Sequence, residues 1–269
     1  MKQRNRLITA IVVASLVVFL PFSAPAKDKI TMQLAHESPS HHINHKVLEA
    51  WAKLAHEKTG GRVEIKVYAA GQLYKDKEAI ELIQTGALSL AAPSTGWMAV
   101  IEPSANVLHM PYLAEDLEAQ EYLQRESKLR EELNKRFLAK GIVLLDFLGL
   151  GTFPVLSVEK PIKNLEDLKG LKMRVTGGAL AEDLLKAFGA NPMVIHVPEV
   201  PGALQQGLVD GLIGSTVWWA NTLIDLVDYG TYHGGLTWYN WFVAANRAYW
   251  EDLPPDIRKT LESTLHQVV

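Results

Sequence analysis

Apolar and polar positions along this chain follow two periods in alternation. Lys29-Ile30-Thr31-Met32-Gln33-Leu34-Ala35 alternates residue by residue and predicts a strand. A polar turn follows, His36-Glu37-Ser38-Pro39-Ser40-His41-His42. From His42 or Asn44 the period lengthens. Val47, Leu48, Trp51, Leu54 and Ala55 share one helical face, and Lys58-Thr59-Gly60-Gly61 stops the helix. Arg62–Tyr68 alternates strictly and predicts a second strand with one buried face. Lys75–Gln84 predicts a helix packing Ala79, Ile80 and Ile83 and ended by Gly86, and Leu88–Ala92 a short buried strand closed by Pro93. Asn106–Met110 forms an apolar stretch that ends at Pro111. One charged helix is expected from Ala114 to Lys140, with Leu123, Leu129, Leu133 and Phe137 inward, and a strand from Ile142 to Phe147.

The second half repeats the alternation in shorter units. Pro154–Ser157 leads to Pro161, and Asn164–Leu168 predicts a helical turn. Strands are expected at Leu171–Val175, Asn191–His196 and Val209–Ile213, with helices at Gly178–Phe188 and Pro201–Gln206 between them. Strands that alternate with helices in this way define an α/β architecture. Gly149 and Gly151 follow the strand ending at Phe147 and fit either a change of chain direction between two lobes or an ordinary turn. No repeat, low-complexity tract or long linker interrupts the pattern.

The N-terminus reads differently. Lys2, Arg4 and Arg6 precede an apolar run from Leu7 to Phe22 and the small-residue exit Ser23-Ala24-Pro25-Ala26, the plan of a secretory signal peptide cleaved after Ala26. The apolar run is short for a membrane span, and no later stretch is long and apolar enough to cross a bilayer. Export to a periplasm is the expectation. The full chain carries 27 basic and 30 acidic residues; removing residues 1–26 takes away three basic and no acidic ones, leaving a formal charge of −6. That balance argues against a nucleic-acid partner. The absence of cysteine excludes disulfides and thiolate chemistry.

Catalytic and metal readings find little support. His36, His41, His42 and His45, with Glu37 beside them, straddle a loop and a helix start and match no zinc-ligand spacing, so they read as polar loop residues. No Gly-x-Ser-x-Gly nucleophile elbow occurs, and no Gly-x-Gly-x-x-Gly opens a helix.

Arg174 stands out instead. It is a lone arginine at the end of the apolar run Leu171–Val175, directly before Thr176-Gly177-Gly178. Burying it without a partner is costly, and its planar fork of donors matches a carboxylate. Large aromatics cluster near two strand ends: Trp218 and Trp219 beyond Ile213, and Trp238, Tyr239 and Trp241 further on. They suit either the wall of a pocket for an organic acid or the junction between lobes. If Trp218 and Trp219 lie in extended chain they face opposite ways, and only one can meet a ligand.

Five segments together resemble one family: Thr59-Gly60-Gly61-Arg62-Val63, Gly71-Gln72-Leu73, Ile83-Gln84-Thr85-Gly86-Ala87, Leu168-Lys169-Gly170-Leu171-Lys172-Met173-Arg174 and Gln205-Gln206-Gly207-Leu208-Val209-Asp210-Gly211. In order and spacing they resemble the DctP-like extracytoplasmic solute-binding subunit of tripartite ATP-independent periplasmic (TRAP) transporters. The resemblance implies a two-domain α/β solute-binding fold with crossover strands, a long connecting helix and an inter-domain ligand cleft. Residues 27–151 and 239–269 would form one domain and 152–238 the other. It also implies delivery of ligand to a membrane permease, no catalysis and no cofactor. Relatives of this kind continue beyond Tyr249–Pro254 into further helical structure, whereas this sequence stops at Val269.

By the resemblance, Arg174 pairs with the ligand carboxylate. Sialic-acid-binding members carry a second ligand arginine about twenty residues earlier, where this chain reads Gly151-Thr152-Phe153-Pro154-Val155, so Phe153 is expected to take that space. After Asp210-Gly211, Leu212-Ile213-Gly214-Ser215-Thr216 replaces a more polar family stretch. Around Arg174 the expected wall is therefore Trp218 or Trp219 and Trp238 or Trp241. Ser215 and Thr216 are expected as donors to a keto or hydroxyl oxygen, and His36, Ser38 and Trp97 approach from the first domain. These departures predict a small monocarboxylate, such as a 2-oxo or 2-hydroxy acid. The alternatives are a C4-dicarboxylate, or an exported ligand-sensing protein without a permease.

Overall fold

A computed structural model describes residues 29–232 and 236–269. The signal-peptide segment 1–26 lies outside the described residues. No helix among the described residues is long and apolar enough to cross a membrane.

The chain opens with β1 (Ile30–Ala35), α1 (Ile43–Lys58), β2 (Val63–Tyr68), α2 (Asp76–Thr85), the two-residue β3 (Leu90–Ala91) and α3 (Thr95–Ile101). In α1 the apolar positions Leu48, Trp51 and Ala55 recur at helical spacing, and all three are fully buried. Each large side chain so placed contributes about 1.5–3 kcal/mol. His42 caps this helix, its Nδ1 accepting the Asn44 amide at 3.2 Å. A 3-10 turn (Pro103–His109) follows, then α4 (Leu117–Arg125) and α5 (Lys128–Leu138). The single charged helix expected over 114–140 is thus two, because the Ser127 hydroxyl bonds back to the Leu123 carbonyl and the chain restarts at Lys128.

The next strand, β4, runs Ile142–Thr152, well beyond the expected end at Phe147. Gly149 and Gly151 therefore lie inside it and form no turn. Two residues of β4 oppose one of the strand beside it between the pairs Gly149–Asn240 and Thr152–Trp238. Gly151 supplies the positive φ of 75° that such a bulge favours.

The chain then crosses into β5 (Val155–Ser157), β6 (Lys172–Val175), α6 (Ala179–Ala187), β7 (Asn191–Val194), α7 (Val200–Gln205), β8 (Gly211–Ile213), the helical turn α8 (Thr216–Trp218) continued by a π-turn (Trp219–Leu223), and β9 (Tyr229–Thr231). It returns through β10 (Trp238–Asn246) to α9 (Arg247–Asp252) and α10 (Pro255–Val268).

Two five-stranded sheets result, ordered β2-β1-β3-β10-β4 and β7-β6-β8-β5-β9. Each is parallel over three strands and antiparallel at β10–β4 and β5–β9 respectively. The two passages between the sheets run side by side, with the Phe153 amide donating to the Thr237 carbonyl at 3.2 Å. The C-terminal helix α10 packs on α1 and β4. One apolar cluster is continuous from α1 through Leu148 and Trp241 to Leu156, Leu212 and Trp218 of the second lobe, which also keeps a core of its own around Met173, Val175 and Leu185.

Candidate functional site

Arg174 sits on β6, between β7 and β8. Alternation along this strand turns Met173 and Val175 into the second lobe's core and leaves Arg174 and Thr176 on the face toward the first lobe. Arg174 is only 2% exposed. Its Nε donates to the Ile195 carbonyl at 2.9 Å, its guanidinium carbon lies 5.2 Å from the centroid of the Trp218 ring, and its Nη2 is buried without a partner among the described residues. Burial pulls its pKa down, while Tyr239, Glu37 and Asp76 act in the opposite sense. A desolvated, always-charged fork with a free donor is poised for an anion.

That fork faces a cavity between the two lobes. Ser38, Pro39 and His42, from the β1–α1 turn and the helix start, line the first-lobe side together with Trp241 of β10. Arg174, Thr176, Val197, Ser215 and Trp218 line the other, and Phe153 and Tyr239 stand where the chain crosses. Because His42 Nδ1 accepts from Asn44, its proton belongs on Nε2. Burial, with His41 and Lys46 nearby, lowers its pKa to about 4, so it is neutral at pH 7. Among the described residues, Arg174 is the one cationic side chain on this wall.

The cavity unites Ser38, Phe153, Arg174, Ser215, Trp218 and Trp241 of the residues singled out in the sequence. It leaves five others aside. Trp219 does not alternate with Trp218, because the segment is a helical turn; its indole donates to the Val227 carbonyl at 2.9 Å and its ring abuts Gly230. Thr216, at the start of that turn, is exposed. Trp238 points to the opposite face of β10, its Nε1 bonded to the Ala114 carbonyl at 2.8 Å. His36 packs beneath the site against His45, at 3.1 Å. Trp97 stacks on His196 at the junction of the lobes, with ring centroids 5.3 Å apart.

Sequence reasoning placed Tyr239 among the aromatics suited to a pocket wall but missed Pro39, His42, Thr176 and Val197. Period-two alternation carries a signal for Thr176, which shares a face with Arg174, and puts Tyr239 on the face of Trp241. His42 and Val197 are brought in by tertiary packing. Glu37 and Asp76, both buried, stand behind the wall. Glu37 accepts from the Asp76 and Val197 amides and from His196, and Asp76 accepts the Ser94 amide at 2.9 Å. Burial and the neighbouring Glu37 raise the Asp76 pKa well above the ordinary carboxylate range.

Two α/β lobes closing on a buried, unpaired arginine define a solute-binding protein. Residues 34–269 match the model of the bacterial extracellular solute-binding protein family 7, DctP, and the chain belongs to that family. It is 31% identical over 266 residues to the C4-dicarboxylate-binding periplasmic protein DctP of Rhodobacter capsulatus, covering 97% of this chain and 78% of that one. Among solved structures it is similar to a TRAP periplasmic solute-binding protein of Sulfurospirillum deleyianum with bound succinate (TM-score 0.82, 26% identity, 90% of this chain and 77% of that one). It is likewise similar to one of Chromohalobacter salexigens with bound D-glucuronate (TM-score 0.81, 26% identity, 88% and 78%).

Proposed function

We propose that this protein is a periplasmic receptor that captures a small organic monocarboxylate, a 2-oxo or 2-hydroxy acid, and delivers it to a TRAP membrane permease without transforming it. The observation that carries the reading is Arg174, buried, held at Nε by Ile195 and, among the described residues, unpaired at Nη2 and the single cation on an otherwise neutral and aromatic wall. One carboxylate satisfies that arginine. The neutral donors around it, the hydroxyls of Ser38 and Ser215 and the Nε2 proton of His42, suit a keto or hydroxyl oxygen. A second carboxylate would need a cation of its own to offset its desolvation. Residues 27–151 with 239–269 and residues 152–238 act, in this reading, as the two units that close on the ligand.

A C4-dicarboxylate is the second reading, favoured by the name of the Rhodobacter capsulatus relative and the succinate in the Sulfurospirillum deleyianum structure. A thermal-shift panel of mono- and dicarboxylates, followed by calorimetry on the hits, separates the two. Pyruvate, lactate or a close homologue should bind at least tenfold more tightly than succinate or malate. The reverse order would establish the second reading.

A further inference from the structure

The cleft does not end at the cavity beneath Arg174. A second cavity lies beyond it, and the two share Phe153, Thr176 and Tyr239 as walls. The far chamber is mostly apolar, closed on one side by Leu180 and Leu184 of α6. His109 also lines it, with Nε2 buried and unpartnered among the described residues.

Three stacked rings stand at this boundary. Phe153 and Tyr239 lie 4.1 Å apart at 13°, and Tyr239 and His109 lie 5.0 Å apart at 21°. Each is fastened: Thr237 accepts the Phe153 amide at its carbonyl and donates its hydroxyl to the His109 carbonyl at 3.0 Å, while the Tyr239 hydroxyl pairs with Thr176. A ring sandwiched on both faces and tied at its tip is a wall and not a side chain free to swing aside.

We propose that the Phe153–Tyr239–His109 stack sets the length of acid this protein accepts, sealing the arginine chamber from a ready-made apolar chamber behind it. The inference rests on the reading of Arg174 as the carboxylate anchor. It adds that the specificity for a small ligand is steric, and that removing the Phe153 ring admits an acid with an apolar tail.

Calorimetry with the straight-chain 2-oxo acids from pyruvate to 2-oxooctanoate tests this. On the wild type, affinity should fall at least tenfold between the shortest and the longest acid. On Phe153→Ala, the ratio of 2-oxooctanoate to pyruvate affinity should rise at least tenfold. Should Phe153→Ala fail to fold, Phe153→Leu serves in its place, since it also breaks the stack. A wild type that binds 2-oxooctanoate as tightly as pyruvate, or a folded variant with an unchanged ratio, overturns the proposal. If no 2-oxo acid binds the wild type, the ligand assignment fails by itself, and the wall is read from a crystal structure of Phe153→Ala. One continuous cavity there supports it, and a Tyr239 ring collapsed into the gap overturns it.

Discussion

Glu37 joins the two lobes through His196, whose Nδ1 donates to Glu37 Oε1 across 2.6 Å. The Glu37 side chain is fully buried, and its other oxygen accepts the Val197 amide at 3.1 Å. Both donors belong to the segment after β7, whose Ile195 carbonyl holds the Arg174 Nε. A first-lobe carboxylate therefore fixes the second-lobe segment that positions the anchor. An exposed ion pair between Lys75 and Glu199 bridges the same seam, but such pairs contribute little.

Glu37→Gln keeps the shape and removes the charge. Hydrogen bonds to a charged acceptor contribute about 1.5–3 kcal/mol each. Ligand affinity should fall about ten- to hundredfold, although Glu37 is not on the cavity wall. Calorimetry checks the affinity, and small-angle scattering should show a less compact average in the apo protein. An unchanged affinity would mean that the lobes meet without help from this carboxylate.

Arg174 separates function from stability. Breaking its pair with a ligand carboxylate should cost about 2–5 kcal/mol of binding. Yet a desolvated guanidinium with an unpaired nitrogen burdens the empty fold. Arg174→Met fills similar volume without the charge. The variant should lose the ligand-induced rise in melting temperature and melt, without ligand, no lower than the wild type. A large drop in apo stability would show that Arg174 instead braces the fold through Glu37 and Asp76.

Closure also depends on an absent side chain. A Cβ on Gly96, near the start of α3, would lie 2.3 Å from the Gly177 carbonyl oxygen, a backbone atom that cannot step aside cheaply. Gly177 itself, at φ 137°, brings its backbone against Trp97. Gly96→Ala should therefore prop the lobes apart. We expect at least a tenfold loss of ligand affinity by calorimetry with little change in the apo melting temperature, since the clash lies between lobes and not within one. Wild-type affinity in this variant would show that the contact is dispensable.

Much of the architecture was legible because most elements carry their own period. The stripe Leu48–Trp51–Ala55 and the strict alternation of Val63–Tyr68 fixed α1 and β2 without tertiary help. The errors fall where a local signal has two outcomes. Gly149 and Gly151 fit either a change of chain direction between lobes or a turn, but β10 alongside holds that stretch as a bulged strand. Trp218 and Trp219 would alternate if extended, but Ser215 accepts the Trp218 amide and winds the segment into a helical turn. Of the site, Arg174 was visible because a lone cation in an apolar strand demands a partner. Glu37 and His196, 159 residues apart, meet only through the packing of one lobe on the other.

The buried histidines predict an acid-sensitive fold. Burial holds His36 at about 3, with His45 and His42 adding to the effect, and holds His42 and His109 at about 4, against 6.5 for an ordinary histidine. Folded pKa values below the unfolded one mean that the unfolded chain binds protons which the fold excludes. Stability is unaffected above pH 6.5 and declines as the pH falls from about 6.5 toward about 4. Each histidine adds a slope of up to about 1.4 kcal/mol per pH unit. Asp76 works in the opposite sense, because its raised pKa lets the fold keep a proton that the unfolded chain releases, but it is one group against three. The apo melting temperature should therefore drop steadily from pH 7 to pH 4.5. His109→Phe, which leaves an uncharged ring between Tyr239 and the far chamber, should make that decline shallower. A melting temperature that stays flat or rises over this interval would show that these histidines accept protons within the folded protein.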